Sequence, residues 1–260
     1  MKKVLILLLF VFTQSLFSQD LSNVYRHIEE IKLNDGLQDE YHAFESFWKL
    51  VKDKHIKEGK QLGWFVWKVD PKSNNNNPWA EYLIINVFSS KEQMDEMYSK
   101  DNDWWVSEIN AAHKGKTKGA IIKKYIEETM NNKYRKSSNT FTNKGLDAFM
   151  EEGIAPSVGT KGNFIAVEQL NEDYVGFEKN FFAPWHKKSK TRFYWELNEV
   201  VDRSENAYKP VTHFIFEILN PDQSYDDIEF SFTDQMMIKY GSTTRKFHGT
   251  LNNELLLFSW

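Results

Sequence analysis

The chain has 260 residues, a formal net charge of −4 at pH 7 and 15% aromatic residues. The negative charge argues against nucleic acid as a partner, because a phosphate backbone needs a basic surface. The absence of cysteine excludes disulfides, thiolate nucleophiles, thiolate metal sites and lipid attachment through a cysteine.

Residues 1–19 have the pattern of a secretory signal peptide. Lys2 and Lys3 form a charged start, Val4 to Phe12 form an apolar core, and a more polar exit follows. This apolar run is too short for a membrane helix, which needs roughly 20 apolar residues. We therefore predict an exported protein, periplasmic or extracellular, that is not a lipoprotein and has no membrane span.

The first half of the mature sequence predicts a strand, a helix, two strands and a second helix. Runs of β-branched and aromatic residues between turn signals predict strands over residues 24–33, 63–69 and 81–88. The first helix begins near Gln38 and ends at Gly59. Its apolar stripe consists of Tyr41, Phe44, Trp48, Val51 and His55. A second helix is predicted over residues 90–98, with a serine as its N-cap.

A helical insertion over residues 101–130 follows, and then a short strand over residues 133–141. Residues 142–161 contain three glycines and Pro156, which is typical of a linker. The second half repeats the plan, with predicted strands over residues 163–170, 193–201, 211–219 and 254–260 and helices over residues 172–186 and 222–232. We therefore divide the mature chain into a first repeat, residues 20–141, and a second repeat, residues 162–260.

Matching segments link the two halves. The frame Tyr-x-x-Phe-Glu occurs at residues 41–45 and again at residues 174–178, and residues 64–89 match residues 195–220 without a gap. The element order in each half is that of a ferredoxin-like unit. Several predicted strands are apolar at consecutive positions, so both faces of the sheet need cover. We predict an α+β fold of two tandem ferredoxin-like units packed sheet to sheet as a pseudo-dimeric α/β barrel, within one monomer.

These segments resemble the dimeric α/β-barrel superfamily, in the form of a tandem single-chain version exported by bacteria. The resemblance lies in residues 41–45, the helix that carries Trp48, the Gly-Lys-Gln-Leu-Gly-Trp segment of residues 59–64, and the strand from Tyr82 to Phe88. It covers most of the mature chain. The superfamily includes monooxygenases of the antibiotic-biosynthesis type, haem-degrading enzymes and proteins without a known reaction, so the resemblance implies a fold and leaves the chemistry open.

One histidine and several tryptophans form the candidate site. His55 follows Trp48 by seven residues, so both side chains leave the same face of the helix toward the sheet. His55 could bind haem or act as a base, or it could end the apolar stripe with its polar edge at the rim. The candidate ligand-binding residues are Trp48, His55, Trp64, Trp67 and Trp104. The tryptophans either line a pocket for a flat apolar molecule or fill the core.

Three hypotheses for function follow. The first is an exported protein that binds a small apolar or aromatic molecule between sheet and helices, with neither cofactor nor metal. The second is a cofactor-independent monooxygenase or a haem-handling enzyme that uses His55. The third is an interaction module for an envelope protein or glycan, which uses Trp104, Trp105 and the loop of residues 74–79. Glu45 and Glu178 match between repeats, but helices on opposite outer faces would separate them, which favours a structural role.

Overall fold

The computed structural model describes residues 24–223, 226 and 228–260, so the predicted leader lies outside the described residues. Among the described residues, no helix is long and apolar enough to cross a membrane. The strands are β1 (Tyr25–Leu33), β2 (Gly63–Val69), β3 (Tyr82–Phe88), β4 (Arg135–Met150), β5 (Lys161–Gln169), β6 (Arg192–Arg203), β7 (His213–Leu219) and β8 (Arg245–Ser259). The helices are α1 (Gln38–Lys57), α2 (Lys91–Tyr98), α3 (Asn102–His113), α4 (Gly119–Met130), α5 (Asp173–Phe177), α6 (Ala183–Ser189) and α7 (Phe232–Gly241). A one-turn segment, Ser73–Asn76, and a π-helical turn, Glu178–Phe182, are also present.

The eight strands form one closed antiparallel barrel in the order β1-β3-β2-β8-β5-β7-β6-β4. Strands β4, β1, β3 and β2 have the ferredoxin-like order, and β8, β5, β7 and β6 repeat it in the second half of the chain. The two halves are therefore related by a pseudo-twofold axis. This arrangement confirms the predicted pseudo-dimeric α/β barrel.

Two strands are longer than predicted. β4 continues to Met150, into the segment predicted as a linker, because residues 141–150 pair with β6. β8 begins at Arg245 instead of residue 254, because residues 245–254 pair with β5. Each long strand thus pairs with both halves of the barrel: β4 also pairs with β1, and β8 also pairs with β2. The added segments are polar and contain glycine, so strand propensity alone does not identify them.

The interior of the barrel is a packed core to which both repeats contribute. Trp67 and Leu83 come from the first repeat, and Phe164, Phe214 and Leu251 come from the second. Side chains alternate between the two faces of a strand, so the neighbours of these residues point outward to the helices. Trp67, which was a candidate ligand-binding residue, is therefore part of the barrel core.

The outer face of each half is covered by its first helix. In the first repeat, Tyr41 and Phe44 of α1 pack against Trp64. In the second repeat, Tyr174 of α5 packs in the same cluster as Trp195. Trp64 and Trp195 are each only 1% exposed. The matched tryptophans are thus equivalent core positions, as the sequence repeat predicts.

The first helix of the second repeat is interrupted. The predicted helix over residues 172–186 consists of α5, the π-helical turn and α6, and Pro184 lies in the first turn of α6. Proline has no N–H and clashes with the preceding turn of an α-helix, and a wider π turn relieves both problems. The helix is therefore interrupted by a π turn directly before the turn that contains Pro184.

The predicted helix over residues 222–232 differs from the structure, because the described residues 222, 223 and 228–231 are not helical. The helix in this part of the chain is α7, which begins at Phe232 and ends at Gly241. Ser231 accepts a hydrogen bond from the Asp234 backbone, and the Asp234 side chain accepts one from the Ser231 backbone. This capping box sets the beginning of the helix ten residues later than predicted from the apolar pattern.

An ion pair inside the barrel connects strands that are not neighbours. Arg26 Nη2 of β1 lies 2.5 Å from Glu196 Oε2 of β6, and their side chains are 4% and 7% exposed. The Tyr194 hydroxyl also donates to Glu196, at 2.5 Å. Because β4 lies between β1 and β6, this contact braces the barrel across one of its two long strands.

We expect Arg26→Met to destabilise the protein by about 3–5 kcal/mol, because it leaves the buried Glu196 carboxylate without its cation. Urea unfolding followed by circular dichroism measures the change. Lys91→Met is the control, because the Lys91–Asp95 pair is half exposed and screened by solvent. Equal stability of Arg26→Met and the unmodified protein would contradict a bracing role.

Candidate functional site

A cavity of about 490 Å³ lies in the first repeat, between the outer face of the sheet and helix α1. Helices α3 and α4, which form the insertion, supply part of its wall. Its lining includes Phe44, Glu45, Trp48 and Lys52 of α1, Trp105 and Ile109 of α3, Thr129 and Met130 of α4, and Glu29, Trp64, Asn86 and Arg135 of the strands. This position, between sheet and helices, is the one predicted for a ligand.

Four polar side chains of the lining form a hydrogen-bonded chain. Arg135 Nη1 donates to Glu29 Oε2 at 2.6 Å. Asn86 Nδ2 donates to the other oxygen of Glu29 at 3.4 Å, and Asn86 Oδ1 accepts from Lys52 Nζ at 2.8 Å. Gln61, which is buried, donates to the same Asn86 oxygen at 3.1 Å. Strands β1, β3 and β4 and helix α1 therefore meet at one polar network.

Glu45 is the carboxylate most affected by this environment. Its side chain is buried in the cavity wall, and the residue is only 4% exposed. Burial raises the pKa of Glu45 to about 7, although Tyr41 and Arg135 oppose the effect. A carboxyl group with such a pKa can accept or release a proton near neutral pH. Glu45 thus has the protonation behaviour of a general acid or base.

Lys52 and Glu29 of the hydrogen-bonded chain differ in whether they titrate near neutral pH. Burial lowers the pKa of Lys52 to about 8, against the attraction of Glu29 and Glu45. Burial would raise the pKa of Glu29, but the neighbouring Arg135 guanidinium holds it below its usual range. Glu29 and Arg135 are therefore a permanent ion pair, whereas Glu45 and Lys52 both titrate close to neutral pH.

Aromatic rings form the rest of the cavity wall. Trp64 lies on the sheet side, Trp48 on α1 and Trp105 on α3. The rings of Trp48 and Trp105 meet edge to face, with centroids 6.0 Å apart. Tyr98 and Met130, each 43% exposed, mark the side that faces solvent. The cavity thus combines aromatic rings with ionisable side chains in its lining, which suits a small aromatic molecule.

His55 lies behind this cavity and does not line it. Its Nε2 is 2.9 Å from Glu108 Oε2 of α3, and its ring packs against Trp104 and Trp105. His55 is fully buried, and burial lowers its pKa to about 4, so the ring is neutral at pH 7. Glu108 also accepts from Lys54 at 2.6 Å. These contacts connect α1 to the insertion, which is a structural task.

The remaining predicted residues fall into different places. Trp48 and Trp64 line the cavity, and Trp67 lies in the barrel core. Trp104 packs on His55 and faces a separate groove, where Lys60 Nζ lies 5.3 Å from its ring centroid. In the loop of residues 74–79, Trp79 is half buried and its Nε1 donates to Glu30 at 2.7 Å. The aromatic residues of the interaction-module hypothesis therefore pack largely within the protein.

Sequence reasoning missed the polar half of the site, which consists of Glu29, Glu45, Lys52, Asn86 and Arg135. One signal was available, because Lys52 follows Glu45 by seven residues and both flank Trp48 on the stripe of α1. Glu29 carried no such signal, because it is one of four charged residues in β1. Arg135 carried none, because the pairing of β4 with β1 decides where it lies.

The histidine predicted as a haem ligand does not face the cavity. His55 is turned toward Glu108 and is separated from the cavity by the rings of α3. The cavity itself is lined by carboxylates, a lysine and an arginine, which suit a polar organic molecule.

At the equivalent position in the second repeat, the matched glutamate is neutralised by an arginine of the same repeat. Glu178 corresponds to Glu45, and it forms a buried ion pair with Arg245. Arg245 is the first residue of β8, as Arg135 is the first residue of β4. Ile165 pairs with Ile215 as Glu29 pairs with Ile84, so an apolar residue replaces Glu29. The matched glutamates thus differ: Glu178 is structural, as predicted for both, whereas Glu45 lines a cavity.

Comparisons with known proteins support the fold. A candidate monooxygenase from Lactobacillus acidophilus superposes with a TM-score of 0.55 at 14% identity, over 90% of this chain and 96% of that one. A candidate monooxygenase from Fusobacterium nucleatum gives 0.55 at 10% identity, over 92% and 94%. An anthrone oxidase-like protein gives 0.54 at 7% identity, over 92% and 94%. No protein-family model and no curated protein matches the chain. The chain has the dimeric α/β-barrel fold, and these identities show the fold alone.

Glu45 should make stability depend on pH. Its folded pKa of about 7 lies above the ordinary value of 4.5, so the folded state binds the proton more tightly and loses stability as pH rises from 4.5 through 7. Glu45→Gln mimics the protonated form. At each pH, the free energy of unfolding of the unmodified protein is subtracted from that of Glu45→Gln. We expect this difference to be about 3 kcal/mol more favourable to the variant at pH 8.5 than at pH 4.

Urea unfolding at a series of pH values checks this expectation. Glu152→Gln is the matched control, because Glu152 is an exposed carboxylate outside the cavity. A pH profile of Glu45→Gln that runs parallel to that of the unmodified protein would mean that Glu45 is not held in a charge-disfavouring site.

Proposed function

We propose that the first repeat binds a small aromatic molecule and transfers a proton between that molecule and Glu45. The observation that carries the proposal is a buried carboxylate with a pKa of about 7 in a cavity with aromatic walls. A general base works best when its pKa lies near the working pH. The acidic proton would belong to a hydroxyl group or to a ring carbon next to a carbonyl group.

The neighbours of Glu45 support this role. Removal of the proton leaves an oxyanion or a delocalised carbanion, which needs nearby positive charge. Lys52 is a cation on the same face of α1 and borders the same cavity, and Arg135 lies on its sheet side. The aromatic wall excludes water and thereby strengthens these interactions.

A second candidate function is oxidation of the deprotonated molecule by O₂ without a cofactor. A carbanion stabilised by an aromatic system can give its electrons to O₂. For a ring CH₂ group, one oxygen atom then enters a new C=O group and the other leaves in water. The fold neighbours named as candidate monooxygenases and as anthrone oxidase-like favour this candidate. In this chain, the same Glu45 would start both reactions.

Anthrone, whose ring CH₂ is acidic, separates the two candidates. Under nitrogen, we expect the protein to accelerate deuterium exchange at this CH₂ group, measured by NMR. In Glu45→Gln the acceleration should fall by about 100- to 10,000-fold, the usual contribution of a general base. In air, O₂ uptake with formation of anthraquinone would support the oxidation as well.

Glu40→Gln is the control for this experiment, because Glu40 is an exposed residue at the start of the same helix. Exchange that is unchanged in Glu45→Gln would contradict the role of Glu45. Exchange without O₂ uptake would leave proton transfer as the function and remove the oxidation.

We also propose that the protein is exported as a monomer, on the basis of the leader pattern of residues 1–19 and the barrel that one chain closes by itself. Expression of the full chain in a bacterial host should yield a protein in the periplasm or medium that starts near residue 20. Mass spectrometry of the secreted fraction and light scattering test these points. A full-length protein that stays in the cytoplasm would contradict export.

A further inference from the structure

Lys52 is a cation of the cavity that has no direct ion pair, although Glu29 and Glu45 attract it from a greater distance. Its Nζ donates to the amide oxygen of Asn86 at 2.8 Å and lies 5.9 Å from the Trp105 ring centroid. Within the described part of the chain, no carboxylate lies at salt-bridge distance from it. An ammonium group has three N–H donors, so hydrogen-bonding capacity remains for a ligand.

The other cations that line the cavity are already paired. Arg135 contacts Glu29 at 2.6 Å, and Lys133 contacts Glu128 at 2.8 Å. A buried charge without a partner is unfavourable, and it is stabilised when an opposite charge arrives. Among these three cations of the cavity wall, Lys52 is therefore the one without a direct ion pair.

The sheet of the second repeat has a buried ion pair where the first repeat has two amides. Glu217 stands opposite Trp195, as Asn86 stands opposite Trp64 in the first repeat. Glu217 accepts a hydrogen bond from Arg192 at 2.5 Å, whereas Asn86 accepts one at 3.1 Å from Gln61, which precedes Trp64 by three residues as Arg192 precedes Trp195. Lys52 therefore meets a neutral amide oxygen on the sheet of the first repeat.

We infer that the cavity selects aromatic acids, whose carboxylate binds Lys52 while the ring packs against Trp48 and Trp105. This inference rests on the proposed function and names its substrate class. Glu45 and Lys52 are seven residues apart on α1, which places their backbones about 10 Å apart along the helix axis. A molecule that reaches both needs its acidic hydroxyl on the opposite side of the ring from its carboxylate.

The probes are 4-hydroxybenzoate, which carries both groups, and phenol, which lacks the carboxylate. Binding is measured by calorimetry and by quenching of tryptophan fluorescence. We expect 4-hydroxybenzoate to bind about 10-fold or more tightly than phenol, the usual effect of a charge-assisted hydrogen bond. Lys52→Met should remove this preference and leave phenol binding within about twofold.

Two further variants sharpen the test. Lys49→Met is the control, because Lys49 lies on the same helix and its Nζ already contacts Asp53 at 2.8 Å. Asn86→Asp places an internal carboxylate beside Lys52, whose Nζ already contacts the Asn86 side chain at 2.8 Å. It should also abolish the preference for the acid. Because this variant keeps Lys52, it tests the preference for the acid even if Lys52→Met does not fold.

The pH profile provides an independent readout. Glu29, Glu45, Arg135, His27 and His55 interact electrostatically with Lys52. Burial lowers the pKa of both histidines, so of these five groups Glu45, with a pKa of about 7, titrates nearest to Lys52. In the Glu45→Gln background, affinity for 4-hydroxybenzoate should therefore fall as pH rises through about 8, where Lys52 loses its proton. In a protein that also carries Lys52→Met, the profile should be flat.

The possible failures can be told apart. If phenol and 4-hydroxybenzoate bind equally and Lys52→Met changes neither, the preference for acids is wrong and the proposed function stands. If neither probe binds the unmodified protein and anthrone exchange is not accelerated, both proposals are wrong.

Discussion

The structure depends on the closure of the barrel by two shared strands. β4 pairs with β1 and β6, and β8 pairs with β2 and β5, so each long strand belongs to both repeats at once. Closure turns one face of the sheet into an interior that apolar side chains fill. A binding site of useful size must therefore lie on the outer face, beneath the helices. The position of the cavity is a consequence of how the barrel closes.

Divergence of the two repeats follows from their presence in one chain. Identical subunits would carry two identical sites, whereas a tandem chain can change each half separately. The first repeat has an insertion, α3 and α4, that enlarges the space over its sheet, and it has Glu29 and Asn86 where the second has Ile165 and Glu217. In the second half, Arg245 and Arg192 neutralise the buried carboxylates. The second repeat thus pairs its matched glutamate with an arginine, whereas the first repeat has a cavity beside its own glutamate.

Much of this fold was predictable from the sequence, because matched segments such as residues 41–45 and 174–178 imply a duplicated unit. The limits of β4 and β8 were not, because their polar ends become strands only through pairing with the other repeat. The aromatic half of the site was partly predicted by Trp48 and Trp64. Its ionisable half was not, because Glu29 and Arg135 are 106 residues apart and meet only through the pairing of β1 with β4. His55 drew attention as a lone histidine on an apolar stripe, yet the insertion covers it.

The charges of the cavity act on one another, which connects binding to proton transfer. At neutral pH, Lys52 is mostly protonated and Glu45 is close to half ionised, so each lowers the energy of the charged form of the other. A bound carboxylate would reduce the positive potential that Lys52 produces at Glu45, and the pKa of Glu45 would rise further. The ionised fraction of Glu45 at neutral pH would then fall, while each ionised Glu45 would bind a proton more tightly. A ligand that pairs with Lys52 would thus shift the pH at which Glu45 acts as a base to a higher value.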